Sequence, residues 1–284
     1  MSEQGATAQP GIAPTSHRTA GTLFAALYGE LTPHSWHDPA SEHDAYQLFH
    51  QRSLAMGWLD DRAGAAAETD PARRAAVAPG LWAMNDAGWS HPLAAPEPQL
   101  IAWFQVEAGA VAGDRPLPVQ PFLRCAEDTA ARIGTVRLSA VQLLLPVHGL
   151  DPSARPASAR VPSLQTADWF GEYDPRARTP VTVRIDSGRS PSLSAVAPQL
   201  AQRLGRLDQG VFACGAHDLA APGGVPAPPF DDSFWNGPPG HGTTLTGVLA
   251  EWSCEAVGWL AEVVADSAAG LGVREPLLVT VLRT

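Results

Sequence analysis

From residue 180 onward the chain switches between two hydrophobic periods in an order that few folds accommodate. Val181, Val183 and Ile185 alternate with Thr182, Arg184 and Asp186, the period of a strand with one buried face. Leu193, Val196, Ala197, Leu200, Leu204 and Leu207 then recur at helical spacing, and Gly210 breaks the pattern. Pro198 is expected to confine regular helix to the region around and after it. Val211–His217 reads as a second strand and Thr243–Trp252 as a third. Ser253 is a natural N-cap, Glu255 suits the positive end of a helix dipole, and Val257, Leu260, Val264, Ala268 and Leu271 form an apolar stripe. Gly270 and Gly272 end that helix, and Pro276–Arg283 reads as a last strand.

Strand, helix, strand, strand, helix, strand is the order of a ferredoxin-like βαββαβ unit, in which both helices cover one face of an antiparallel sheet. The expected fold class is therefore α+β, with this unit at residues 180–284. Its other face needs a cover too, so an internal tandem or a sheet-to-sheet homodimer is expected, and with it a homo-oligomer.

The region before it, 22–148, reads as a further α+β part with a helical N-terminal segment. A helix is expected from Glu42 to about Leu59, with Ser41 and Asp44 as an approximate capping box. Leu100–Ala108 and Val136–Val147 read as strands on either side of a helix over Phe122–Ile133, a β-α-β unit. Residues 62–80 read as a loop. Five prolines fall within 149–180, so 149–179 is expected to connect the two parts. Residues 1–21 offer too little apolar surface to offset the entropy of ordering and read as a disordered tail.

All nineteen basic residues are arginine, and the formal net charge is −10. A chain without lysine forms no Schiff base and has no P-loop lysine. The negative charge argues against a nucleic-acid partner. No apolar run reaches membrane-spanning length, and Met1–Gly21 lacks the apolar centre of a signal peptide. Three widely spaced cysteines, Cys125, Cys214 and Cys254, make no disulfide framework, so a cytoplasmic location is expected.

Dinucleotide, zinc-protease, hydrolase-elbow and paired-cysteine motifs are all absent, and no cofactor follows from the sequence. His34, His37, His43 and His50 invite a metal reading, but His43 and His50 fall on the side of their helix away from its apolar residues, which favours solvated histidines. Cys214 lies three residues from His217, and residues three apart on a strand point to opposite faces. Cys214 therefore reads as an apolar residue, with His217 and Asp218 at the strand exit.

Arg184 and Asp186 share the strand face opposite Val181, Val183 and Ile185. There they form either a plain ion pair or an arginine–carboxylate site for a substrate. Residues 228–242 combine Asp231, Asp232, three aromatics and His241 between prolines and glycines, a composition suited to a lid or to a simple anchored loop. Glu251, in register with Leu245, Gly247 and Leu249 on the third strand, reads as an inward carboxylate or a residue of the solvent edge. Nine tryptophans suit an aromatic ligand and serve equally as core.

His217, His241, Arg184, Asp186 and Glu251 are thus the candidate catalytic residues. They would serve acid/base chemistry of cyclase, isomerase or dehydratase type, without an organic cofactor, on a small apolar or aromatic molecule. The alternative is a non-catalytic binding or assembly protein that acts through the open sheet face and the aromatic loop. Convergence of the five side chains on one concave pocket separates the two readings.

Overall fold

The computed structural model describes residues 19–38, 44–60, 80–111, 115–154, 164–172, 174–207, 210–219 and 223–284. Eight strands form one antiparallel sheet: β1 (Thr19–Pro33), β2 (Trp82–Gly88), β3 (Leu100–Gly109), β4 (Gly134–Leu145), β5 (Thr179–Asp186), β6 (Phe212–Asp218), β7 (Gly242–Leu249) and β8 (Leu277–Arg283). Five α-helices lie among the described residues: α1 (Ala45–Ala55), α2 (Val119–Ile133), α3 (Leu164–Gly171), α4 (Ser192–Gly205) and α5 (Cys254–Gly270). The protein is mixed α+β.

The strand order is β2-β3-β1-β4-β8-β5-β7-β6. Elements β1-α1-β2-β3-α2-β4 therefore repeat the order β5-α4-β6-β7-α5-β8, and the two halves meet edge to edge through β4 and β8, with Ala140 opposite Leu282 and Leu145 opposite Leu277. The first half, expected against the sheet's far face as an internal tandem, thus extends the sheet laterally instead.

Alternation in the strands separates the two faces. Leu23, Ala25 and Leu27 of β1, Val141 and Leu143 of β4, Val181, Val183 and Ile185 of β5, and Val279 and Val281 of β8 join the main core beneath the helices. In α2, Val119, Phe122, Leu123, Ala126, Thr129 and Ala130 recur at three and four residues and are buried. α5 is buried along nearly all its length because it lies centrally, against α2 on one side and α4 on the other.

Several boundaries differ from the sequence expectation for local reasons. α1 begins at Ala45 because Asp44 is the N-cap, accepting from the Gln47 amide at 2.8 Å, and it ends at Ala55, short of the expected Leu59. Ser41 lies outside the described residues. β1 begins at Thr19, inside the stretch read as a tail. β2 was not expected: five of its seven residues are polar, small or both, and it is an edge strand. α4 starts at Ser192 and carries Pro198 inside it, so the helix extends well before the proline. The connection at 149–179 contains α3. β7 ends at Leu249, which removes Glu251 from the strand.

Candidate functional site

The open face of the sheet is read row by row from its register. Across five strands, Asp218, Thr244, Arg184, Thr280 and Gln142 stand opposite one another, a polar row on the open face. Gln142 donates to the Thr280 hydroxyl at 3.0 Å and to the Pro226 carbonyl at 3.0 Å. Tyr28 reaches the Gln142 carbonyl oxygen at 3.4 Å. In the next row Asp186 faces Leu278, which faces Leu144, which faces Phe24.

Arg184 donates to Asp186 Oδ2 at 2.8 Å, and the carboxylate is 1% exposed. Burial at this level makes the pair an unusual feature of an open sheet face, since a charge leaves water only when it is well partnered. Asp186 Oδ1 also accepts from the Gly188 and Gly240 amides at 2.8 and 3.0 Å. The second of these donors belongs to the β6–β7 connection, in its described stretch 223–241, so one carboxylate ties a strand end to that long loop.

More bonds close the same seam. Asn236 donates to the Ser187 carbonyl, the Arg189 amide to the Asn236 carbonyl at 2.7 Å, and the His241 amide to the Gly188 carbonyl at 3.0 Å. Gly188 sits at φ +67, and a Cβ there would come within 1.9 Å of the Asn236 oxygen, so only glycine lets the two segments approach this closely. Further along, Phe230 and Phe234 pack on Phe24, with centroids 4.9 and 6.2 Å away, and Phe24 stacks on Trp103. A second apolar cluster is thus built by the loop on the open face.

Between loop and sheet lies a cavity of about 550 Å³. Arg184, Asp186 and Thr280 form its polar floor, and Leu219, Val225, Leu278 and three prolines line its sides. Its size falls within the range of small-molecule sites. A larger depression of about 820 Å³ lies between α1 and α2, but its ion pair, Arg52 with Asp128, is part exposed and it holds none of the candidate residues.

The five candidates do not all meet. Arg184 and Asp186 share the cavity floor. His241 follows Gly240 of the cavity wall and is held there through its backbone. His217 lies opposite Leu245 on the edge strand β6 and is exposed, on the face that carries the helices. Glu251 is buried beyond the end of β7, where it accepts from the hydroxyl of Ser253, the N-cap of α5; its other oxygen has no hydrogen-bond partner among the described residues. It stands on the helix side, away from the cavity.

Other singled-out residues find structural roles. Asp231 caps the short turn Asp232–Phe234 by accepting from the Ser233 amide, and hydrogen bonds from the Ser233 side chain first and its amide second hold the carboxyl below the ordinary value. Cys214 is half-buried, and burial pushes its thiol up, away from a reactive thiolate. His34 bonds the Ala131 carbonyl and stacks on Trp36, and His50 stacks on Tyr46, while His43 lies outside the described residues. Among the described residues, no three His, Cys, Asp or Glu side chains gather as a metal site requires.

Thr280 and Gln142 escaped the sequence reading. Their signal is a single polar residue set in an apolar strand, Leu277–Leu282 and Val141–Leu145 respectively.

Comparison with family models, with curated proteins and with solved structures finds no match to this chain.

Proposed function

We propose that this protein binds a small, mainly apolar molecule in the cavity between the open sheet face and the 223–241 loop. The observation that carries this reading is the buried Arg184–Asp186 pair, which forms the cavity floor and at the same time latches the loop above it. Buried charge at the floor of an apolar-walled cavity, with a loop tied across it, is the arrangement of a ligand site rather than of a plain surface ion pair.

Binding accounts for the floor better than acid/base catalysis does. Asp186 is the cavity's carboxylate, and its two oxygens are already engaged by three donors, which commits it to holding Arg184 and the loop in place. The alternative, an enzyme of cyclase, isomerase or dehydratase type, would draw its base from His241, one residue from the cavity wall. His217 and Glu251 stand too far round the molecule to share that chemistry.

The repeated strand order supports a finer reading of the fold as two ferredoxin-like units joined at their outer strands. Three free cysteines suit a cytoplasmic setting. The apolar open face that motivates a homo-oligomer is covered over β1, β4 and β8 by the chain's own loop.

Titration with Nile red, a neutral dye whose emission brightens in apolar surroundings, tests the reading. The native protein is expected to bind one dye per chain, and Leu219→Trp, which places a larger side chain at the exposed rim, to weaken binding at least tenfold. Equal binding by both proteins would place the dye elsewhere and contradict the proposal.

A further inference from the structure

The hydrogen-bonding capacity left over on the cavity floor is unbalanced. Asp186 takes three donors. Arg184 spends one N–H on Asp186 and one on the Leu219 carbonyl at 3.3 Å, which leaves three of its five without an acceptor among the described residues. Thr280 accepts from Gln142, and its own hydroxyl proton has no acceptor among the described residues. Arg184 and Thr280 are cross-strand partners on one face, so their side chains start roughly 5 Å apart. The nearby carbonyls of Pro226 and Leu219 each receive one donor, from Gln142 and Arg184, and the single Tyr28 hydroxyl lies within reach of both the Gln142 oxygen and the Ala227 carbonyl.

Charge points the same way. The guanidinium and the carboxylate beside it cancel, so an incoming anion meets Asp186 as well as Arg184 and gains little from Coulomb attraction. A cation would face unshared donors. Leu219, Val225, Leu278 and the prolines offer the rest of the ligand an apolar surface.

Resting on the binding reading above, we propose that the ligand is a neutral, mainly apolar molecule that presents one hydrogen-bond-accepting oxygen, a ketone, aldehyde, ester or amide carbonyl, to Arg184 and Thr280. The carbonyl oxygen has two lone pairs and takes one donor from each residue, which completes the row without adding charge. No bond is made or broken.

Isothermal titration with 2-octanone, octanoate and octylammonium, three probes with one apolar chain length and different heads, tests the ligand class. The native protein is expected to bind the ketone at least tenfold tighter than either ion. Thr280→Val, which keeps shape and removes the hydroxyl, should weaken the ketone about five- to tenfold and leave the ions unchanged. Preference for octanoate, or ketone affinity unchanged in Thr280→Val, overturns the ligand class and leaves the cavity's binding role standing. Failure of all three probes to bind in a manner that Leu219→Trp abolishes overturns the binding role and the class together.

Discussion

Asp186 does more per atom than any other side chain of the open face, since it neutralises a buried arginine and ties two glycine amides from different segments. Asp186→Ala leaves all three donors unmatched. It should lower the unfolding free energy by about 3–5 kcal/mol in urea titration, the range for breaking a buried pair by removing one partner. A loss under about 1 kcal/mol would mean that water already satisfies these groups. Glu262 on α5 has a different consequence. It accepts from the Gln120 amide and side chain at 2.9 and 2.7 Å, yet burial pushes its carboxyl from 4.5 to about 8. An acid whose folded pKa is raised holds its proton in the folded state after the unfolded state has lost it. Stability is then highest below about pH 4.5 with respect to this group and falls as pH rises towards 8, by about 1.4 kcal/mol per pH unit at most. In Glu262→Gln that part of the slope should vanish from denaturation midpoints measured across pH 5–8. Of these residues, Arg184 and Asp186 were legible because a two-residue period places both opposite Val181, Val183 and Ile185. Thr280 and Gln142 were not, because a lone polar residue in an apolar strand has no meaning until the strand's neighbours are known.

The 223–241 loop is the element on which the site depends, and it is held at two ends by different forces. Phe230 and Phe234 bury apolar surface against Phe24, while 236–241 is fastened by hydrogen bonds to the turn after β5. Gly188→Ala attacks only the second, because the new Cβ collides with the Asn236 oxygen and φ is positive. Amide exchange should then rise in 236–241, with Gly240 foremost, while the β5 and β8 ladder keeps its protection. An even rise across the sheet would show that the loop is not a separable unit. The sequence marked this segment by its aromatics and punctuation, but its destination depended on which strands it crossed. β2 went unread for a related reason: Trp82–Gly88 carries neither clean alternation nor an apolar run, and pairing with β3 decides its state.

At the scale of the whole molecule, the two repeated halves share one sheet and one core. β4 pairs with β8, Gly258 of α5 brings that helix against Gln120 of α2, and Trp252 donates to the Leu138 carbonyl of the other half at 2.8 Å. Burial this continuous favours a single cooperative transition, so tryptophan fluorescence and far-ultraviolet circular dichroism should give one coincident unfolding curve. Two separated transitions would show that the halves fold independently. The order of elements in the second half could be read from hydrophobic period alone. Edge-to-edge joining could not, because β4 and β8 are apolar in ways equally suited to stacking or to pairing. The cavity forms where the loop crosses the joined sheet, and its use as a ligand site can be read directly. Native mass spectrometry of the protein purified gently from its own host tests it most directly. A small neutral molecule retained one per chain, and lost from Leu219→Trp, is the predicted result. A chain that carries no ligand under the same conditions, or retains one equally well in Leu219→Trp, would contradict it.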